Sequence, residues 1–185
     1  MLIAMPSLRE GPFARSVVFI CAHRDDGAMG LIINKRSPEV AFAQLLVKLK
    51  IVEEAAVGQL PPAAEGVIVL QGGPVEVGRG FVLHSDDFAA DDTTISIVDG
   101  VCLTASLDIL RAIANGAGPR RAVLALGYAG WSPGQLESEI RANGWLSCEA
   151  DRAIIFDADH ATKYDRALAR LGVSAAALSS EAGHA

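Results

Sequence analysis

The apolar residues of this chain arrive in short, largely β-branched runs that end on turn residues, and no run is longer than a strand. Residues 17–21 and 30–33 flank the polar segment His23-Arg24-Asp25-Asp26-Gly27. Two such runs around Asp-Gly read as strands joined by a reversal. Residues 93–98 and 101–103 flank Asp99-Gly100, the strongest short hairpin signal in the chain. Residues 67–71 form a buried-strand pattern ending in Gly72-Gly73-Pro74, and residues 79–84 form another, followed by an acidic loop at 86–92. Hairpins dominate the middle of the chain and strict βαβ alternation fails. The expected class is therefore α+β, a mostly antiparallel sheet with flanking helices, and not a doubly wound sheet. The richest apolar stretches, 16–22 and 67–70, fall far short of the ~20 residues that span a bilayer. No membrane is expected among its partners.

Helical periodicity fills the gaps between these runs. Ser37-Pro38 has the chemistry of an N-cap followed by proline at the first helical position, and Phe42, Leu45, Leu46 and Leu49 then make one apolar stripe. Residues 52–65 read as loop with room for a weak helical turn. A helix at 107–114 follows Thr104 and Ser106, carries Asp108 in its first turn and stops at Asn115-Gly116. Ser132 and Gln135 have the spacing of a capping box, with Pro133 at the first helical position and Trp131 placed to staple onto Leu136. That helix should end at Asn143-Gly144. Strands are expected at 122–126, 145–148 and 153–156, then a last helix with Tyr164, Leu168 and Leu171 on one side, closing at Gly172. A chain of 185 residues suits one domain, expected over 1–172, with a frayed tail at 173–185.

Charge and cysteine content narrow the function classes. Sixteen Lys and Arg against 22 Asp and Glu give a net charge of −6, and the basic residues are scattered. Duplex binding needs clustered cations that displace counterions from phosphates, so direct nucleic-acid contact is not expected. Cys21, Cys102 and Cys148 form no CxxC pair and are odd in number. Each lies in or beside an apolar run, as a free, reduced thiol does. The start, Met1-Leu2-Ile3-Ala4-Met5-Pro6, lacks a basic segment and a long apolar one, so a cytoplasmic protein is expected.

Few residues offer chemistry. His23-Arg24-Asp25-Asp26 and His84-Ser85-Asp86-Asp87 share an H-x-D-D pattern. Such segments contain metal-ligand types, yet Asp is also a leading turn residue, and no second His or Cys spacing supports a metal. No GxSxG, SxxK or phosphate-loop motif is present. Cys21 and His23 would share a face of a regular strand, which admits a thiolate–imidazole pair. The most promising neighbourhood is Gly72, Gly73 and Pro74 with Arg79 and His84. Adjacent glycines leave backbone N–H groups unshielded, and an arginine at the head of an apolar face must snorkel, pair, or meet an anion. His23 and Asn34 flank the first hairpin and are placed to line the same cleft. These seven are the ligand-binding candidates; no catalytic residue, cofactor or metal is assigned.

Several segments together resemble the YqgE/AlgH family. They are Ser16-Val17-Val18-Phe19-Ile20 with His23 and Asp26-Gly27-Ala28-Met29-Gly30-Leu31-Ile32-Ile33-Asn34; Gly72-Gly73-Pro74-Val75; Arg79-Gly80-Phe81-Val82-Leu83-His84; and Gly127-Tyr128-Ala129-Gly130-Trp131-Ser132-Pro133-Gly134-Gln135-Leu136. The likeness extends over residues 2–172. One departure is Asp159-His160-Ala161-Thr162-Lys163-Tyr164, where the family often carries a proline and an acidic-aromatic run. The resemblance implies an α+β fold with a bent, coiled antiparallel sheet, in a bacterial cytoplasmic protein that carries the label of transcriptional regulator without agreed catalytic residues. The expected function is a non-enzymatic regulatory or ligand-binding protein acting through a protein or small-molecule partner, with any transcriptional effect indirect. Two rivals are a hydrolase-like enzyme using His23, His84 and nearby carboxylates, and a direct DNA-binding regulator.

Overall fold

The computed structural model describes residues 1–8 and 10–180. Its strands are β1 (Leu2–Ala4), β2 (Val17–Arg24), β3 (Gly27–Ile32), β4 (Ile68–Gln71), β5 (Val75–His84), β6 (Thr94–Val98), β7 (Val101–Thr104), β8 (Ala122–Trp131) and β9 (Trp145–Ser147). The helices are α1 (Phe42–Lys48), α2 (Pro62–Glu65), α3 (Leu107–Ala114), α4 (Gln135–Arg141), α5 (Arg152–Ile155), α6 (Lys163–Ala169) and α7 (Ala175–Ser180), with 3-10 turns at Glu54–Gln59 and Asp91–Thr93.

Strand β8 is the spine. Its first half pairs antiparallel with β5, as in Val82 opposite Leu124, and parallel with β4. Its second half pairs with β3, as in Ala28 opposite Trp131. The sheet then runs β6-β7-β5-β8-β3-β2-β1-β9 and is curled into a half-barrel, with β4 the parallel exception. The halves meet at Gly127, in the left-handed region at φ 71°. A Cβ there would lie 2.5 Å from the Gly73 carbonyl oxygen, so only glycine permits the bend where β8 changes partners.

Period-2 alternation sorts the core into three. Phe19, Leu31, Phe81, Leu83, Leu103 and Val123 face inward, where Ile154, Ile155, Tyr164 and Leu168 of α5 and α6 meet them. Their neighbours Val69, Val82 and Leu124 face outward under α1 and α3 through Phe42, Leu46, Ile109 and Ile113. Val18, Ile32, Ala129 and Trp131 face outward under Leu136 and Trp145. Each fully buried aliphatic or aromatic side chain contributes about 1.5–3 kcal/mol.

Four local expectations change. Ser37-Pro38 does not begin α1: Ser37 N–H donates to Val69 O and Gln71 N–H to Lys35 O, so this segment stays extended beside β4 and the helix starts after Ala41. Residues 153–156 are not a strand. Arg152–Ile155 form a helical turn that sets Ile154 and Ile155 against the inner core, and Asp151 caps it through the Ala153 N–H at 2.8 Å. The capping box before α4 is half formed. Gln135 Oε1 accepts the Ser132 N–H at 3.0 Å, but the cap residue is Gly134, left-handed at φ 74°. In the segment expected to fray, α7 forms at Ala175–Ser180, and Val173, Ala175 and Leu178 pack on the inner core; residues 181–185 lie outside the described residues.

Candidate functional site

The β2–β3 reversal folds back against the end of β8. Gly27 makes this approach possible, since a Cβ there would sit 2.4 Å from the Trp131 carbonyl oxygen. The chain then turns through Ser132 and Pro133 into α4. An open cleft of about 600 Å³ lies between these turns, with Met29 and Val75 as its apolar surface and Arg24, Asp26, Tyr128 and Ser132 as its polar groups. A volume of this order holds a small molecule or a few residues of a peptide.

Its frame is braced by hydrogen bonds. Glu139 of α4 accepts the indole N–H of Trp131 at 2.9 Å and of Trp145 at 2.8 Å. Burial pushes its carboxyl up, but these indoles and the Gln135 amide outweigh burial and hold it below the usual carboxylate range. His23 Nε2 meets Glu137 Oε1 at 2.5 Å, tying β2 to α4. The Glu137 carboxyl is held low by its own backbone N–H and by His23. Tyr128 OH donates to Glu76 Oε1 at 3.4 Å, and Arg79 donates to Glu76 Oε2 at 3.2 Å while its guanidinium lies over the Phe81 ring.

The candidates from sequence are dispersed by the fold. Gly72 and Gly73 serve packing: a Cβ on either would lie within 2.3 Å of β8 backbone at Gly127 or Tyr128. Pro74 leads into Val75, which lines the cleft. Arg79 stands one partner away, joined to Tyr128 through Glu76. His23 lies beside the cleft in its pair with Glu137. Asn34 is structural, accepting the Val17 N–H at 2.8 Å and donating to Arg15 O. His84 is fully buried, its Nδ1–H donating to Ser85 O at 2.8 Å and its Nε2 accepting the Thr104 hydroxyl at 2.9 Å. Burial lowers its pKa, against the opposing pull of Ser85 O and Asp87, so the imidazole is a neutral bridge.

His23 and His84 also lie at opposite ends of β8. His23 pairs with Ala28, which pairs with Trp131, whereas His84 pairs with Ala122. That is roughly 30 Å along an unbent strand. The Cys21–His23 face-sharing fails because the ladder is irregular between Ile20 and Ala22; burial pushes the Cys21 thiol up to about 12. All three cysteines are free, with Cys102 buried and the others half-buried. Among the described residues no group of three His, Cys, Asp or Glu is placed to hold a metal, and no helix is long and apolar enough to cross a membrane.

Sequence reasoning missed Arg24, Asp26, Tyr128 and Ser132 as cleft residues, because each segment has a sufficient account as a turn or helix start. It also missed Lys163 and His160. Lys163 is fully buried, its Nζ donating to Ile33 O at 3.0 Å and Ile155 O at 2.9 Å, and burial lowers its pKa to about 8. His160 Nδ1–H shares Ile33 O at 3.2 Å. The available signal was the departure at residues 159–164.

Residues 1–176 match the family model described as AlgH-like, DUF179. The chain belongs to the AlgH-like family. A UPF0301 protein of Azorhizobium caulinodans is 59% identical over the whole chain and 90% of its own length, and one of Rhodopseudomonas palustris strain HaA2 is 58% identical over the whole chain and 85% of its own. The solution structure of the AlgH protein from Pseudomonas aeruginosa superposes with a TM-score of 0.77 at 40% identity, covering all of this chain and 93% of that one. A Corynebacterium diphtheriae protein at 20% identity and TM-score 0.68, covering 91% and 84%, shares the fold. AlgH-like membership and the half-barrel agree with the expected family and fold class.

Proposed function

We propose that this AlgH-like protein is a non-enzymatic cytoplasmic regulator that binds a small molecule or a short protein segment in the cleft between the β2–β3 turn and the turn into α4. The observation that carries this reading is the cleft's make-up. Arg24 and Asp26 present opposite charges, and neither forms an ion pair with a described residue. They lie beside an apolar patch of Met29 and Val75. An apolar surface with a few convergent polar groups suits recognition. An enzyme using His23 and His84 together is disfavoured, since one sits beside the cleft and the other is buried at the far end of β8. Direct DNA contact is disfavoured by the net charge of −6 and by Asp26 beside the only arginine of the cleft lining, Arg24.

Capture from a lysate of the protein's own cells, with mass spectrometry of both proteins and small molecules, tests this reading against an Arg24→Ala/Tyr128→Phe variant. The expected result is a partner retained by the native protein and lost by the folded variant. Identical recoveries from both would move the site elsewhere. A gel shift with salt-sensitive DNA binding would restore the nucleic-acid reading.

A further inference from the structure

Strand β6 stands at one end of the sheet and, among the described residues, pairs with β7 alone. One row of its backbone N–H and C=O groups therefore has no strand beside it. Natural proteins blunt such edges with charge, proline or bulges, because an open edge is a template for another strand. The edge here, Thr94-Ile95-Ser96-Ile97-Val98, has no charge and no proline, and every residue except Ser96 is β-branched. Its one irregularity falls between Ser96 and Val98, at the hairpin end. Ile95 is 59% exposed and Val98 36%. These are the properties of a strand suited to be paired.

Charge decides what can pair with it. Asp92 precedes the strand and Asp99 follows it, and neither forms an ion pair with a described residue. Arg152 reaches the Asp99 end, lying against Gly100 of the same turn, so the Asp92 end has the less compensated charge. An extended segment with a β-branched core and basic flanks meets both features. Its main chain completes the ladder, and a cation at its flank faces Asp92.

We propose that β6 is a docking edge for an extended, basic-flanked segment of another protein, at a site separate from the cleft above. The probe is the synthetic peptide Lys-Lys-Val-Thr-Val-Thr-Val-Lys-Lys, titrated into the isotope-labelled full chain, with a Glu-flanked peptide of the same core as control. Expected are amide shifts concentrated in residues 92–104, a dissociation constant on the order of 10–100 µM, and binding of the Glu-flanked peptide weaker by at least about tenfold. Asp92→Asn should weaken the Lys-flanked peptide by a few-fold and reduce its salt dependence, more than Asp99→Asn does. Ile95→Lys, on an exposed site, should abolish binding with the circular dichroism unchanged. Equal affinity for both peptides, or shifts concentrated outside β6 and β7, would overturn the proposal. Self-association of the free protein that Ile95→Lys abolishes would assign the edge to a second copy and overturn it as well.

Discussion

Strand β5 contains two regions of opposite fate. Residues 81–84 are buried and sit in a continuous ladder between β7 and β8. Residues 75–79 are exposed, and their ladder is broken: Val75 pairs with Tyr128, pairing resumes only at Gly80 opposite Leu126, and the four residues between oppose Gly127 alone. Val77 is consequently 67% exposed, and Glu76 adopts a left-handed φ of 46°. Local apolar content does not account for this, since Val75 and Val77 are as β-branched as Val82. The decisive feature is on the other strand, where β8 bends at Gly127 and its two halves pair with different neighbours, β4 and β5 before the bend and β3 after it. The inner half of β5 is scaffold, and the outer half carries Val75 and Glu76 toward the candidate cleft.

The largest effect expected from this contrast is at the bend. Gly73→Ala places a Cβ 2.1 Å from the Tyr128 carbonyl carbon, so urea unfolding should show a loss of about 4 kcal/mol or more, or no folded protein at all. A loss below about 1 kcal/mol would mean that the β5 and β8 backbones are not locked together there. Next, Leu83→Ala should cost about 2–5 kcal/mol for a fully buried leucine, whereas Val77→Ala should stay within about 0.5 kcal/mol. Similar losses at both sites would erase the distinction between the halves.

The buried end should also reveal itself through pH. The folded-state pKa of His84 is depressed, so the fold prefers neutral imidazole. That contribution is present above the unfolded value near 6.5 and is lost as pH falls through that value toward the folded one. Stability should therefore drop as pH falls below about 6.5, and His84→Gln should flatten the slope; an unchanged slope assigns the effect elsewhere, for instance to His160, whose pKa is also lowered by burial. The smallest effect is expected at the exposed end. Arg79→Ala removes a surface pair with Glu76 and should change stability by less than about 1 kcal/mol. A larger loss would show that the Arg79–Glu76–Tyr128 chain is structural.

Much of this architecture was legible from local sequence. Asp99-Gly100 and His23-Arg24-Asp25-Asp26-Gly27 mark reversals, and the helix at 107–114 appears with those bounds, because turn chemistry and period are properties of neighbouring residues. Where long-range bonds competed, local rules lost. Ser37-Pro38 has the chemistry of a helix start, but β4 recruits its backbone. The apolar run at residues 153–156 has a strand's composition, but Asp151 caps it as a helical turn and the Ile155 carbonyl is taken by Lys163 Nζ.

The amino-acid sequence by itself determined the class of fold, the position of most strands and the family, because periodicity, turn residues and co-occurring motifs are written along the chain. Tertiary structure alone decided the site. Arg24 and Asp26 meet Tyr128 and Ser132 because β3 pairs with the end of β8 and the β2–β3 turn rests on Trp131. The same geometry sends His84 to the buried end and His23 to the exposed one, though both sit in H-x-D-D segments. Spacing along a chain sets which face of an element a side chain takes. Proximity between elements depends on register and bend, which are set by backbone contacts between residues far apart in sequence.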